Sequence, residues 1–427
     1  MLKRSLRRTQ ALAISALLMA AAGCASNERP RVAPAETQAS QDPQSQQSPQ
    51  SSQANAKPVS RQEEAKRQVE AGTAFLERGQ YDEAEHAFRL ALEAEPGSLQ
   101  ALSGLGRVQV QRGQYSEAVP LLERATRVSS QMASAFQALG DAYAATGEIE
   151  RAAGSYRQAV ALAPGDLGIR LSLAHSLTEV GDYEEAEDVC MRSMRIARDD
   201  PRNLSRVYQQ LGEVQCRQGK SPQAMSAYYK AAELHPRDAD VTRGLAACAL
   251  RAGLYAEAVT ALTRILQLTP LDLNAKKQLA WANFKLDRFP TAIGHYEAVR
   301  DSLGTVDRYY LGQAYAKASK VDRAVAQFRE VIRLDMENYK GVYCNMANAY
   351  YDANRYESAI NVVREGLRAD SSSSCLRYCW AQALDKLGRH EDAIPIFEAM
   401  LADPAYADAA KRELERQKRI VRLLHSK

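Results

Sequence analysis

Hydrophobic and polar positions divide the 427-residue chain into stretches of different character. Residues 1–10 carry Lys3, Arg4, Arg7 and Arg8, and Ala11 to Ala22 then form a largely apolar run of twelve. Residues 25–60 are mostly Ser, Gln, Pro and Ala, without an aromatic side chain. From residue 61 one pattern recurs: RGQYDEAEHAFRLALEAEP, RGQYSEAVPLLERATRVSS and TGEIERAAGSYRQAVALAP follow one another at 34-residue intervals. Repeats begin at 65, 99, 133, 167, 205, 239, 273, 305, 340 and 374; the fourth is four residues longer, the seventh two shorter and the eighth one longer. Large residues at positions 4, 7 and 11 of each repeat stand at helical spacing, as Phe136, Leu139 and Tyr143 do in the third, and Tyr156 at position 24 belongs to a second segment. Between them, seven repeats carry Gly at position 15, where a left-handed residue stops a helix at least cost; Asn354 and Asp287 are the next most tolerant types. Residues 407–427 continue with Ala410, Leu414, Val421 and Leu424 at helical spacing.

This period and pattern resemble the tetratricopeptide repeat, a helix–turn–helix unit. The resemblance covers residues 61–406 in ten copies and implies an all-α fold, a right-handed superhelical solenoid of helix–turn–helix repeats. Position 8 is Gly or Ala in every copy and position 20 is Ala in every copy, from Ala84 to Ala393. The two are expected to face each other across the helix pair, where larger side chains would push the backbones apart. Late repeats depart from the pattern: position 27 holds Ile265, Val299, Val331 and Met400 in place of Ala. A solenoid must cover its last apolar face, so residues 407–427 are expected to form a capping helix.

The amino-terminal stretch has the layout of a secretory signal, with a basic start and an apolar run too short to span a bilayer. It ends in Ala21-Ala22-Gly23-Cys24-Ala25, which resembles the bacterial lipobox, with Ala21 where Leu is usual. The resemblance implies a signal peptide over 1–23 and a diacylglyceryl group on Cys24. Acyl chains contribute ~0.8 kcal/mol per buried methylene, and more than one makes anchoring durable. Residue two of the mature chain would be Ala25 rather than Asp, which implies the periplasmic face of the outer membrane in a diderm host. Residues 24–60 read as a disordered, lipid-anchored tether reaching roughly 35 Å as a random coil.

Charge adds one exclusion. The formal net charge of +4 is that of Lys3, Arg4, Arg7 and Arg8, so the chain beyond Cys24 is balanced. A nucleic-acid binder needs a basic footprint that this chain lacks. Catalysis finds no support either. The histidines His86, His175, His235, His295, His390 and His425 fall at unrelated repeat positions, and no HExxH, GxSxG, Walker or dinucleotide-binding turn is present. Cys375 and Cys379 lack a second pair or a His at metal-ligand spacing. The reading is a non-enzyme with no metal and no cofactor. In an oxidising periplasm, Cys344 at position 5 of the ninth repeat would pair with Cys375 or Cys379, at positions 2 and 6 of the tenth; Cys216 with Cys248 is a weaker candidate, and Cys190 at position 24 reads as a buried thiol.

In the tetratricopeptide family, positions 2, 5, 9, 12 and 13 of the first helices point into the concave face. That register places Arg243, Arg251, Lys277, Trp281, Phe284, Lys285, Tyr309, Gln313, Lys317, Asn348, Tyr351, Tyr378 and Gln382 there in the later repeats. The early repeats offer small or polar residues: Thr73, Ser103, Gln137, Asp141, Ala144 and Thr178. Aromatics beside Arg, Lys and amides suit an extended peptide or a sugar polymer. The family's carboxylate clamp needs Lys at position 5 and Asn at position 9, whereas Lys277 is followed there by Trp281. The resemblance to tetratricopeptide lipoproteins therefore implies a scaffold or adaptor binding proteins or extended peptide segments of the cell envelope. The alternatives are a polysaccharide-binding or export module using the later aromatic groove, and an accessory subunit of an enzyme encoded elsewhere.

Overall fold

The computed structural model describes residues 60–426, so the expectations for the signal, Cys24 and the tether lie outside the described residues. Those described fall into two compact units, 60–248 and 249–426, and the division lies inside the helix Ala239–Ala252. Among the described residues there are twenty-one α-helices, one 3-10 turn and no strand. Twenty of the helices form ten antiparallel pairs, from α1 (Arg61–Glu77) and α2 (Tyr81–Ala94) through α5 (Ala133–Thr146) and α6 (Ile149–Leu162) to α19 (Ser374–Lys386) and α20 (His390–Met400). The last, α21, spans Ala407–His425. None is long and apolar enough to cross a membrane.

Position 15 ends the first helix in all ten repeats. The seven glycines there have positive φ, as do Asp287, Ser319 and Asn354 at 57°, 57° and 58°. In each case the next residue's N–H donates to the carbonyl five residues back, as Glu148 does to Tyr143 at 2.8 Å and Arg355 to Tyr350 at 2.8 Å. That bond satisfies a carbonyl the helix end would otherwise leave unpaired. Ser319 bears the left-handed turn without being a residue type that announces it.

Position 20 is fully buried in every repeat, 0% exposed from Ala84 to Ala393. Where position 8 is Gly, the tightest neighbour is a second-helix ring or Leu side chain. A methyl added at Gly140 would lie 2.7 Å from the Tyr156 ring, and one at Gly72 2.8 Å from the Phe88 ring. So the closest approach at position 8 is to the side chain at position 24 of the same repeat. Phe88 and Tyr228 are also pressed from the other side by position 6 of the following repeat, Gly104 and Gly244. The ring thus locks its own helix pair to the next, which is how a repeat array buries a continuous core.

Repeat-length changes are absorbed locally. The longer fourth repeat extends the next first helix, Pro201–Arg217, to 17 residues, with Asp200 capping the N–H groups of Arg202 and Asn203. The shorter seventh repeat cuts its second helix, α14 (Phe289–Glu297), to nine residues and turns through Arg300–Ser302. The cap helix α21 buries Ala410 and Leu414, but Leu424 is 59% exposed; the buried residue one turn beyond Leu414 is Gln417. Its amide donates to Asp385 at 2.7 Å and its carbonyl oxygen meets His390 Nδ1 at 2.8 Å. The apolar seam of the cap is therefore continued by hydrogen bonds.

Candidate functional site

A cleft of about 140 Å³ opens in the unit 60–248 between α3 (Leu99–Gln111) and α5. It is lined by Arg107, Val110, Gln111, Ser134, Gln137, Ala138 and Asp141. Six of these seven stand at positions 2, 5, 9, 12 or 13 of their repeats, so the register read from the sequence does gather side chains into one depression. Small residues make the space: Gly106 and Gly140 let the second-helix residues Leu122 and Tyr156 press close from behind. Asp141 is half-buried and accepts a hydrogen bond from the Tyr156 hydroxyl at 2.6 Å. Burial pushes its carboxyl up from the usual carboxylate range, against the lowering from that hydrogen bond. Arg107 stands exposed at the edge. In the sequence, Gln137 and Asp141 belong to the polar early repeats with nothing to set them apart, and Arg107, Gln111 and Ser134 have no prominence. Opposite charges at position 9 of consecutive repeats are the signal that points to them.

Two repeats further along the same unit, His175, Glu179 and Glu213 bring ligand atoms within 4.8 Å of one another. The cation already there is Arg217, 2.5 Å from Glu179 and 3.5 Å from Glu213.

The residues proposed for a later groove are placed less openly than the sequence suggested. Trp281 is 7% exposed and belongs to the core, with Tyr255 and Tyr310 edge-on at 5.5 and 6.3 Å. It is a packing residue, because its ring is held between Tyr255 at the start of the preceding repeat's second helix and Tyr310 on the next first helix rather than facing solvent. Phe284 packs on Phe289 and Tyr310, and Tyr309 on Tyr310, Phe328 and Tyr339. Asn345 donates to the Tyr309 hydroxyl at 3.3 Å. Lys277 donates to the Ser302 carbonyl and lies 3.5 Å from Asp307. Lys285 sits 5.4 Å above the Trp281 ring, and burial lowers its pKa. Gln313 is half-buried, Asn348 is exposed, and Arg243 pairs with Asp240 at 2.5 Å. Tyr351 packs on Tyr356, whereas Tyr378 packs on Phe397 and Tyr406. The ring contacts thus form separate groups, within repeats and between neighbouring ones, rather than one continuous stripe from Trp281 to Tyr378.

The cysteines divide cleanly. Cys216 joins Cys248 with Cα atoms 5.7 Å apart, and Cys344 joins Cys375 at 6.2 Å; both link first helices of consecutive repeats. Cys379, offered as a possible partner of Cys344, is instead a free buried thiol, as is Cys190. Burial pushes both thiols up to about 12.

Models of the tetratricopeptide repeat match residues 75–141, 167–237, 210–272, 277–339 and 344–410. The chain is a tetratricopeptide-repeat protein. A model described as anaphase-promoting complex, cyclosome, subunit 3 also matches 112–193 of this repeat protein. The TPR repeat-containing protein YpiA of Bacillus subtilis (strain 168) is 27% identical over 139 residues, which is 32% of this chain and 33% of YpiA. The match thus spans about a third of that relative's length. Among solved structures, PilF of Pseudomonas aeruginosa is 19% identical with a TM-score of 0.41, covering 51% of this chain and 97% of its own. YrrB, a TPR protein with an unusual peptide-binding site, is 17% identical with a TM-score of 0.37, covering 45% of this chain and 97% of its own. Tetratricopeptide-repeat proteins generally act as protein-interaction scaffolds that bind peptides and proteins.

Proposed function

We propose that this repeat protein is a non-catalytic adaptor, anchored by lipid on Cys24, that binds extended peptide segments of cell-envelope proteins at the periplasmic face of the outer membrane. The observation that carries the reading is the cleft between α3 and α5, where consecutive first helices contribute backbone-satisfying amides and two charges. Gln111 and Gln137 offer donors and acceptors to a peptide backbone, and Asp141 and Arg107 discriminate among its side chains. The envelope part is supported by Gly23-Cys24-Ala25 after the apolar run and by two disulfides, which persist in oxidising compartments.

Two measurements test this. A photo-crosslinking amino acid at Gln137, introduced in living cells, should capture a protein that the same group at exposed Glu150 on α6 does not. Equal capture at both positions would remove the cleft from the reading. Cys24→Ser should move the protein from membranes to the soluble periplasmic fraction, and unchanged membrane retention would remove the lipid anchor.

A further inference from the structure

The cleft between α3 and α5 holds two opposite charges that the fold has not used on each other. Several other carboxylates of the unit 60–248 are matched: Glu185 lies 2.6 Å from Arg157, Glu123 2.6 Å from Arg151, and Glu179 2.5 Å from Arg217. Asp141 has no ion pair among the described residues, and neither has Arg107; the hydroxyl of Tyr156 is the hydrogen-bond donor Asp141 receives. A half-buried carboxylate without a cation is an unfavourable arrangement, and burial accordingly pushes its pKa up. A cation brought to it from outside would recover the solvation that folding removed.

The size of the cleft narrows what that cation belongs to. About 140 Å³ is well under the roughly 300 Å³ at which small-molecule pockets begin. Space of that size suits one long side chain better than a whole small molecule. An acidic side chain or a chain-terminal carboxylate would meet Arg107 at the edge but be repelled by Asp141 inside. Gln111, Ser134 and Gln137 around the mouth supply hydrogen-bond partners for the backbone on either side. We propose that Asp141 is the specificity-determining residue of the cleft, receiving the cationic side chain of a Lys or Arg from an extended peptide whose neighbouring Asp or Glu meets Arg107. This inference rests on the peptide-binding reading above and adds the chemistry of the segment recognised.

The test uses the full chain in detergent, immobilised, with fluorescent short-peptide pools that share a randomised Gly, Ser, Ala and Tyr background. Their central residue is fixed as Lys, Arg, norleucine or Glu. Lys and Arg pools should be retained about tenfold better than the norleucine pool, equivalent to ~1.4 kcal/mol. Asp141→Asn keeps the shape and the acceptor for Tyr156; it should erase the preference for Lys and Arg over norleucine. A further pool with Glu fixed beside the central Lys should be retained better than the Lys pool, and Arg107→Ala should abolish that gain while keeping the Lys preference. On the unsubstituted protein, the Lys advantage should shrink as salt approaches 1 M, where the Debye length falls to ~3 Å, which tests the charge pair without any variant. Equal retention of Lys and norleucine pools, or a preference that survives in Asp141→Asn, would overturn the inference while leaving peptide binding standing. Retention of no pool above bare resin would overturn both.

Discussion

Gly140 and Gly154 lie in the two helices of one repeat, and replacing each with Ala should move stability in opposite directions. Helix propensity alone favours Ala over Gly by ~1 kcal/mol at both sites. At Gly154, in α6, a new methyl meets nothing within 4 Å, so that gain should be realised in full. At Gly140 the methyl would lie 2.7, 2.8 and 2.9 Å from three carbons of the Tyr156 ring. Ordinary contact needs about 3.5–4 Å, so the ring or the helix must give by nearly an ångström at several atoms. The ring is 4% exposed and its hydroxyl is held by Asp141 at 2.6 Å, which leaves it little room to move. Overpacking of this kind costs about 1–3 kcal/mol, so after the propensity gain Gly140→Ala should lose about 0–2 kcal/mol. Unfolding of an array is a sum over neighbouring units, so local hydrogen exchange on α5 and α6 is the better assay than one melting temperature. In a Tyr156→Val background the added cost of Gly140→Ala should largely vanish, a coupling of about 0.5–3 kcal/mol. If both single variants gain the same ~1 kcal/mol, the position 8 to position 24 contact does not constrain the repeat and the reasoning fails.

Trp281→Ala should loosen the repeats around it by about 3–5 kcal/mol, as buried aromatic truncations do, seen as lost exchange protection in Leu273–Lys285; retained protection with lost partner binding would return Trp281 to a groove. Reducing Cys216–Cys248, which closes a span of 32 residues, should lower the protection of the helices it joins by about 3–4 kcal/mol on loop-closure arguments, and alkylation of the unreduced, denatured protein should label Cys190 and Cys379 but not the four paired cysteines. Burial of Asp385 opposes its ionisation, yet hydrogen bonds from Gln417 and Arg416 and the charges of Arg416 and His390 hold its carboxyl below the ordinary Asp range. A depressed folded value gives stability that is complete above the unfolded pKa of about 3.9 and lost as pH falls through the folded one, so α21 should undock and become protease-sensitive only in acid. Gln417→Leu, which removes the amide that bridges Asp385 and His390, should undock it at neutral pH as well, scored by the same proteolysis.

Most of the architecture was legible before any coordinates. Ten in-phase repeats, a left-handed stop at position 15 and an invariant Ala at position 20 are local rules, and the first helices end where the position 15 residues stand. Pairing of Cys216 with Cys248 and of Cys344 with Cys375 was within reach for the same reason, since stacked repeats bring fixed positions together. What depends on the contents of a neighbouring repeat was not legible. Whether Trp281 faces a groove or a seam is settled by Tyr255 and Tyr310, one on either side of it in sequence, whose rings edge onto it. Whether Asp141 is matched depends on side chains of other helices, none of which forms an ion pair with it among the described residues, while Glu179, four repeat positions further along the next first helix, finds Arg217. Periodicity specifies where a side chain starts, because backbone geometry repeats; whether it is buried, paired or left open depends on distances between side chains that do not repeat, and only the folded array sets those.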